Sequence, residues 1–246
     1  FDKGPSIVVR SYPGGPIAAE VLREAATLKR DATERWCSGL SVEPWRPRCE
    51  IVLHPTRSSY LRNVGPAGGQ TTGSSLIDSS DGVILRRRVD LLVDAEGRCP
   101  ALAHELTHVV LADWFRGSQP PPWVDEGIAT LVDGAEKRAL HQRDCRRALA
   151  DGSAIHMVEL VQLKQLSSRE QAAAFYGQSL SLVAFLADRA EPNRLLPFVD
   201  LAESRGYDHA LREVYAINSI GDLQRQWVRH ELAKSDNLTH QVSQSR

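Results

Sequence analysis

The sequence predicts an α+β fold in which a small mixed sheet comes first and a helical half follows. Two observations carry that prediction. Stretches rich in β-branched residues stop before Cys99, and from Pro100 onward apolar residues recur at helical spacing between turn signals. A third bounds the size: 246 residues, 42% of them hydrophobic, are enough to bury a core as one or two domains. The expected organisation is one domain over residues 1–232, sheet-rich over 1–98 and helical over 99–232, with a polar tail or linker over 233–246.

Taken in order, SIVVRSY over 6–12 reads as a strand. PIAAEVLREAATLKRDATERW over 16–36 is a helix with Val21, Leu22, Ala25 and Leu28 apolar, and CEIVLH over 49–54 is a second strand. A Gly/Ser/Thr-rich connection over 65–75 leads to GVILRRRVDLLVD over 82–94, either one long strand or two. Its Arg86, Arg87 and Arg88 are expected to be solvated alternately. Turns at RGSQPPP, DGSA, EPNR and SRGYD then divide the helical half, and KSDNLTHQVSQSR at the end is polar and aperiodic.

The stretch CPALAHELTHVVLADWF over 99–115 is a helix that opens at Pro100 and carries Leu102, Leu106, Val109 and Val110 on its core stripe. His104, Glu105 and His108 lie on another side, yet Ala101, Ala103, Val109, Leu111 and Ala112 surround them, so that side is expected to be covered as well. Polar groups placed there need partners. Residues 104–108 spell HExxH, and the i, i+4 spacing leaves the two imidazoles about 40° apart around the axis and one turn apart along it. Both can reach one metal ion. Glu105 is badly placed to be a third ligand but well placed beside an open coordination position.

Catalytic zinc usually takes three protein ligands, and PPPWVDEGIATLVDG offers a carboxylate early in the next helix. Glu126 is the favoured ligand and Asp125 its rival, about 100° away on the same helix. Gly127 would let this helix approach the HExxH helix closely.

HExxH followed by WVDEGIA resembles the gluzincin branch of the zincin metallopeptidases, in particular the peptidase-MA-like domains related to the M1 aminopeptidases, with their W-x-x-E-G-x-A motif. That resemblance implies a zincin-like fold with the sheet over the HExxH helix. It also implies zinc held by His104, His108 and Glu126, with Glu105 as general base. AAAFYGQSLSLVAFL over 172–186 resembles the family's helix that starts near a tyrosine, which implies Tyr176 as a hydrogen-bond donor to the transition state. SIGDLQRQWVRHEL over 219–232 resembles its closing helix. The departures are informative. Leu111 and Trp114 stand where metzincins need Gly and His, no Gly-x-Met-Glu-Asn exopeptidase motif precedes HExxH, and the usual supporting aspartate falls on Thr130. Asp133 is the substitute.

Other functions are excluded. A net charge of −1 gives no electrostatic case for a nucleic-acid partner or a membrane surface, and no segment has the apolar length of a transmembrane span. GQSLS at 177–181 is not a nucleophile elbow, and GGQTTGS at 68–74 has no P-loop lysine. His54, His141, His156, His209, His230 and His240 stand alone and are expected at the surface. Cys37, Cys49, Cys99 and Cys145 have no CxxC spacing; an even count allows Cys37–Cys49 and Cys99–Cys145 disulfides, the alternative being four reduced core cysteines in a cytosolic protein. With Phe1 first and Met157 the single methionine, a removed leader or anchor and an extracytoplasmic setting are expected. The expected reaction is hydrolysis of a peptide or protein substrate lying along an edge strand, with residues 82–88 as the candidate; the rival is a catalytically silent scaffold with the same fold.

Overall fold

In the computed structural model the β-branched runs of the sequence become strands β1 (Ile7–Arg10), β2 (Cys49–His54) and β4 (Val83–Leu92), and a further strand, β3 (Gly73–Ser80), precedes the last. The structure describes residues 6–37, 39–40, 44–166 and 168–244; the first five positions of the expected domain and the last two of the expected tail lie outside them. The chain forms two compact units, one of Phe1–Pro120 with Val132–Gly134 and one of Pro121–Leu131 with Ala135–Arg246.

In the first unit the strand order is β1-β2-β4-β3, with β1, β2 and β4 parallel and β3 antiparallel to β4. The sheet is therefore mixed, as expected. The expected substrate strand is corrected: β4 is paired on both sides, and the free edge beyond it belongs to β3. β3 arises largely from the polar segment after Gly73, which lacks β-branched residues apart from Ile77 and so resembles a connection. Asp81 and Gly82 close its hairpin with β4, both at positive φ (51° and 75°), as a two-residue primed turn requires.

Cys49, Ile51 and Leu53 of β2 are in register with Arg87, Val89 and Leu91 of β4, so these six share one face. That face is covered by α1 (Ala18–Trp36) and α3 (Leu102–Trp114), which also pack on each other. α1 buries Val21, Ala25, Lys29, Thr33 and Trp36, a stripe that includes a lysine and leaves the expected Leu22 and Leu28 half-buried. The opposite face carries α2 (Arg57–Val64), started by a capping box in which Thr56 and Ser59 bond reciprocally.

The arginine run does not alternate simply. Arg87 is buried and pairs with Asp113 of α3, which also accepts the indole N–H of Trp45, while Arg88 lies half-buried against Asp90. His54 is likewise buried rather than at the surface, with its Nε2 2.6 Å from Asp90 Oδ1.

The second unit is helical: α4 (Pro122–Leu131), α5 (Ala135–Asp151), α6 (Met157–Gln162), α7 (Arg169–Ala187), α8 (Leu195–Arg205), α9 (Tyr207–Tyr215) and α10 (Ile220–Gln244). α7 is its centre, packed by α4 and α5. A Cβ on Gly127 of α4 would lie 2.5 Å from Val183 Cγ2 and 2.6 Å from the Ser179 carbonyl oxygen. The close approach expected at Gly127 is therefore made to α7. Gly177 does the same for α5, where a Cβ would stand 2.5 Å from the His141 carbonyl oxygen. Gln178, fully buried, uses both amide atoms to hold the Ile155 backbone at 2.7 and 2.9 Å. α10 continues as helix through the polar stretch after residue 232, and its Trp227 indole donates to Ser181 Oγ at 2.8 Å.

The four cysteines are free thiols, so the expected Cys37–Cys49 and Cys99–Cys145 bonds are absent. Cys37, Cys49 and Cys145 instead fill buried positions as small apolar side chains. Burial pushes each of these three thiols up to about 12 and half-buried Cys99 up to about 11. The oxidised cysteines on which the extracytoplasmic expectation partly rested are thus not formed. No helix among the described residues is long and apolar enough to cross a membrane.

Candidate metal centre

α3 is apolar nearly all round, with Leu102, Leu106, Val109, Val110 and Leu111 buried. His104, Glu105 and Thr107 are buried too, as the sequence led one to expect, while Ala103 and His108 are half-covered. The Thr107 hydroxyl is satisfied by the Ala103 carbonyl at 2.8 Å. One turn apart, the two imidazoles stand edge to face with centroids 4.9 Å apart, as i, i+4 residues on one helical face should.

His104 has a second partner. Its Nδ1 is 3.2 Å from Oδ2 of Asp133, an aspartate 3% exposed in the turn after α4. This is the substitute expected for the missing aspartate at Thr130, itself buried at 1% exposure. A carboxylate on Nδ1 fixes the ring's tautomer and leaves Nε2 as the acceptor nitrogen.

Among the described residues, the set that could hold a metal ion is His104, His108 and Glu126, whose ligand atoms all lie within 4.8 Å of one another. Two imidazoles and a carboxylate are a donor set suited to zinc. Glu126 and its rival Asp125 both lie in α4, and only Glu126 enters the set. Upstream of them, the Trp123 indole is fully buried and donates to the Tyr207 hydroxyl at 3.2 Å, tying the start of α4 to the start of α9.

Glu105 is 8% exposed and is walled by β3, because Gly73 lies directly against it. The loop leading into β3 is fastened from α2: the Tyr60 hydroxyl meets Thr71 Oγ1 at 2.7 Å and Arg57 donates to the Thr71 carbonyl. Burial raises the Tyr60 phenol above its ordinary value, and the Glu105 charge adds to the rise. Tyr176 lies two turns into α7 rather than near its start, half-buried, with its ring 5.6 Å from that of His141 and 5.5 Å from that of Phe175.

Sequence reasoning missed Gly73, which a search for side-chain chemistry passes over. It also missed the buried His54–Asp90 pair, which the alternation of β4 could have exposed, since Asp90 sits between Val89 and Leu91 in a strand too apolar to leave a carboxylate unpaired.

A profile of the Peptidase MA superfamily matches residues 93–232, from the end of β4 into α10. The chain belongs to the peptidase MA superfamily. The matched region covers more than half of the sequence and includes every residue of the candidate donor set. A zincin-like fold in this superfamily accords with the small mixed sheet and the helical C-terminal half. No curated protein and no solved structure matches the chain.

Proposed function

We propose that this superfamily member is a zinc-dependent peptidase of the gluzincin type. The observation that carries the proposal is the donor set of His104, His108 and Glu126 with its ligand atoms within 4.8 Å. Asp133 supports it by orienting His104. Kinship with the M1 aminopeptidases is the finer reading, carried by W-x-x-E-G-x-A at 123–129.

A zinc ion held by the three residues would supply a Lewis acid that polarises the scissile carbonyl and acidifies a water. Glu105 takes the proton of the attacking water and hands it to the leaving amine nitrogen. The Tyr176 hydroxyl donates a hydrogen bond to the developing oxyanion. An extended peptide pairs with the free edge of β3, which offers backbone groups at strand spacing.

Metal content and hydrolysis of a diverse peptide library are measured together on the parent and on Glu105→Gln. The parent should hold about one zinc per chain. The variant should keep its zinc and its fold and lose about 10²- to 10⁴-fold in rate. A protein that takes up no transition metal sinks the metal reading. A zinc-loaded parent that cleaves nothing favours a silent binding domain, a kind of member the superfamily includes.

A further inference from the structure

Gly73 is the first residue of β3 and is buried. Its φ lies outside the left-handed region, so the backbone makes no demand for glycine there. The demand is one of space. A Cβ at this position would lie 2.6 Å from Ala101 Cβ, 2.6 Å from Glu105 Cγ and 2.8 Å from Glu105 Oε1. No real side chain tolerates such distances without movement.

The parts around this contact differ in how readily they give. The strand cannot retreat easily, because Leu92 N–H donates to the Thr72 carbonyl at 2.8 Å and Thr71 is fastened by Tyr60 and Arg57. Ala101 Cβ is fixed to the start of α3. Glu105 alone has rotatable bonds in the contact, so any added atom at 73 turns its carboxylate away first.

We infer that Gly73 is a positioning residue: its bare backbone is one wall of a slot that fixes the direction of the Glu105 carboxylate. The inference rests on the peptidase reading, in which Glu105 is the general base. A base must stand within hydrogen-bond reach of the proton it takes, and a displacement of about 1 Å costs on the order of 10²-fold in rate. Glu105 keeps its charge and its place in the sequence in a Gly73→Ala protein, but its aim is lost.

The test uses the full zinc-loaded chain with Ala101→Gly as background, which removes the clash at Ala101 and leaves the one at Glu105. Adding Gly73→Ala should lower kcat by about 10- to 100-fold, with KM and zinc content unchanged. The same addition should lower Tm by about 2–8 °C when Glu105 is present and by less than half as much beside Glu105→Ala. A parent that cleaves peptides while Gly73→Ala leaves kcat unchanged overturns the inference alone. Equal Tm losses with and without the Glu105 side chain also overturn it. A zinc-loaded parent that cleaves no peptide overturns it together with the peptidase reading.

Discussion

At the scale of single residues, two carboxylates do for two histidines what burial alone would forbid. Asp133 is the first, 3.2 Å from His104 Nδ1 and 2% exposed at its side chain. Asp133→Asn keeps the shape but gives up the charge that raises the ring's basicity and the acceptor set that fixes its tautomer. The expected result is a 10- to 100-fold weaker hold on zinc, read by competition with a chelator. Asp90 is the second. Burial pushes its carboxyl up, but hydrogen bonds from Arg88 and His54 outweigh that and hold it below its ordinary 3.8. A carboxyl lowered in the folded state contributes stability that is fully present above the unfolded value and is lost as pH falls through the folded one. Denaturant titrations should therefore show stability flat with respect to this group at neutral pH and declining below about 3.8. Asp90→Asn, which takes the carboxylate from buried His54 and leaves half-buried Arg88 with Glu50 at 3.8 Å as its remaining acidic partner, should cost on the order of 3 kcal/mol at pH 7.

At the scale of elements, helix α7 is held by the absence of side chains. A Cβ on Gly177 would stand 2.5 Å from the His141 carbonyl oxygen and 2.7 Å from the Cys145 amide nitrogen, both backbone atoms of α5 that cannot rotate away. Gly177→Ala should cost about 1–3 kcal/mol in a denaturant titration. Gly69→Ala, with nothing within 4 Å of the new methyl, should stay within about 0.5 kcal/mol of the parent. These elements differed in how well they could be read from the chain. α3 was legible because Leu102, Leu106, Val109 and Val110 repeat at helical spacing and HExxH interrupts them on one side only. β3 was not, because its serines carry no strand propensity and its place depends on pairing with β4; Asp81-Gly82 was the local signal that announced the hairpin. α2 was hidden for a related reason, since its capping box uses Ser59 where a glutamate would have advertised it.

At the scale of the whole molecule, the donor set was legible and the redox state was not. Two histidines one turn apart on a helix and a glutamate in the next helix spell a set that could hold a metal, and their ligand atoms lie within 4.8 Å of one another. Four cysteines in even number announce nothing by themselves, since a buried thiol and a half-cystine look alike in sequence. Titration of the denatured, unreduced protein should find four thiols per chain. In the native protein Cys99 should react first, being half-buried with the lower of the raised values, about 11 against about 12. Oxidation should thus neither stabilise the fold nor be needed to make it.

The route of the chain through the two units has a consequence for its biosynthesis. Residues 132–134, which carry Asp133, belong to the unit built from the first 120 residues, yet they are made only after the whole of α4. A ribosome therefore delivers HExxH before it delivers the carboxylate that orients its first histidine. Until that turn emerges, the carboxylate that meets His104 Nδ1 in the folded chain is not yet part of it. The same order rules out a clean cut. A fragment ended at Pro120 would keep the strands and both histidines but lose Asp133, so a boundary that keeps every residue of the first unit must carry α4 with it.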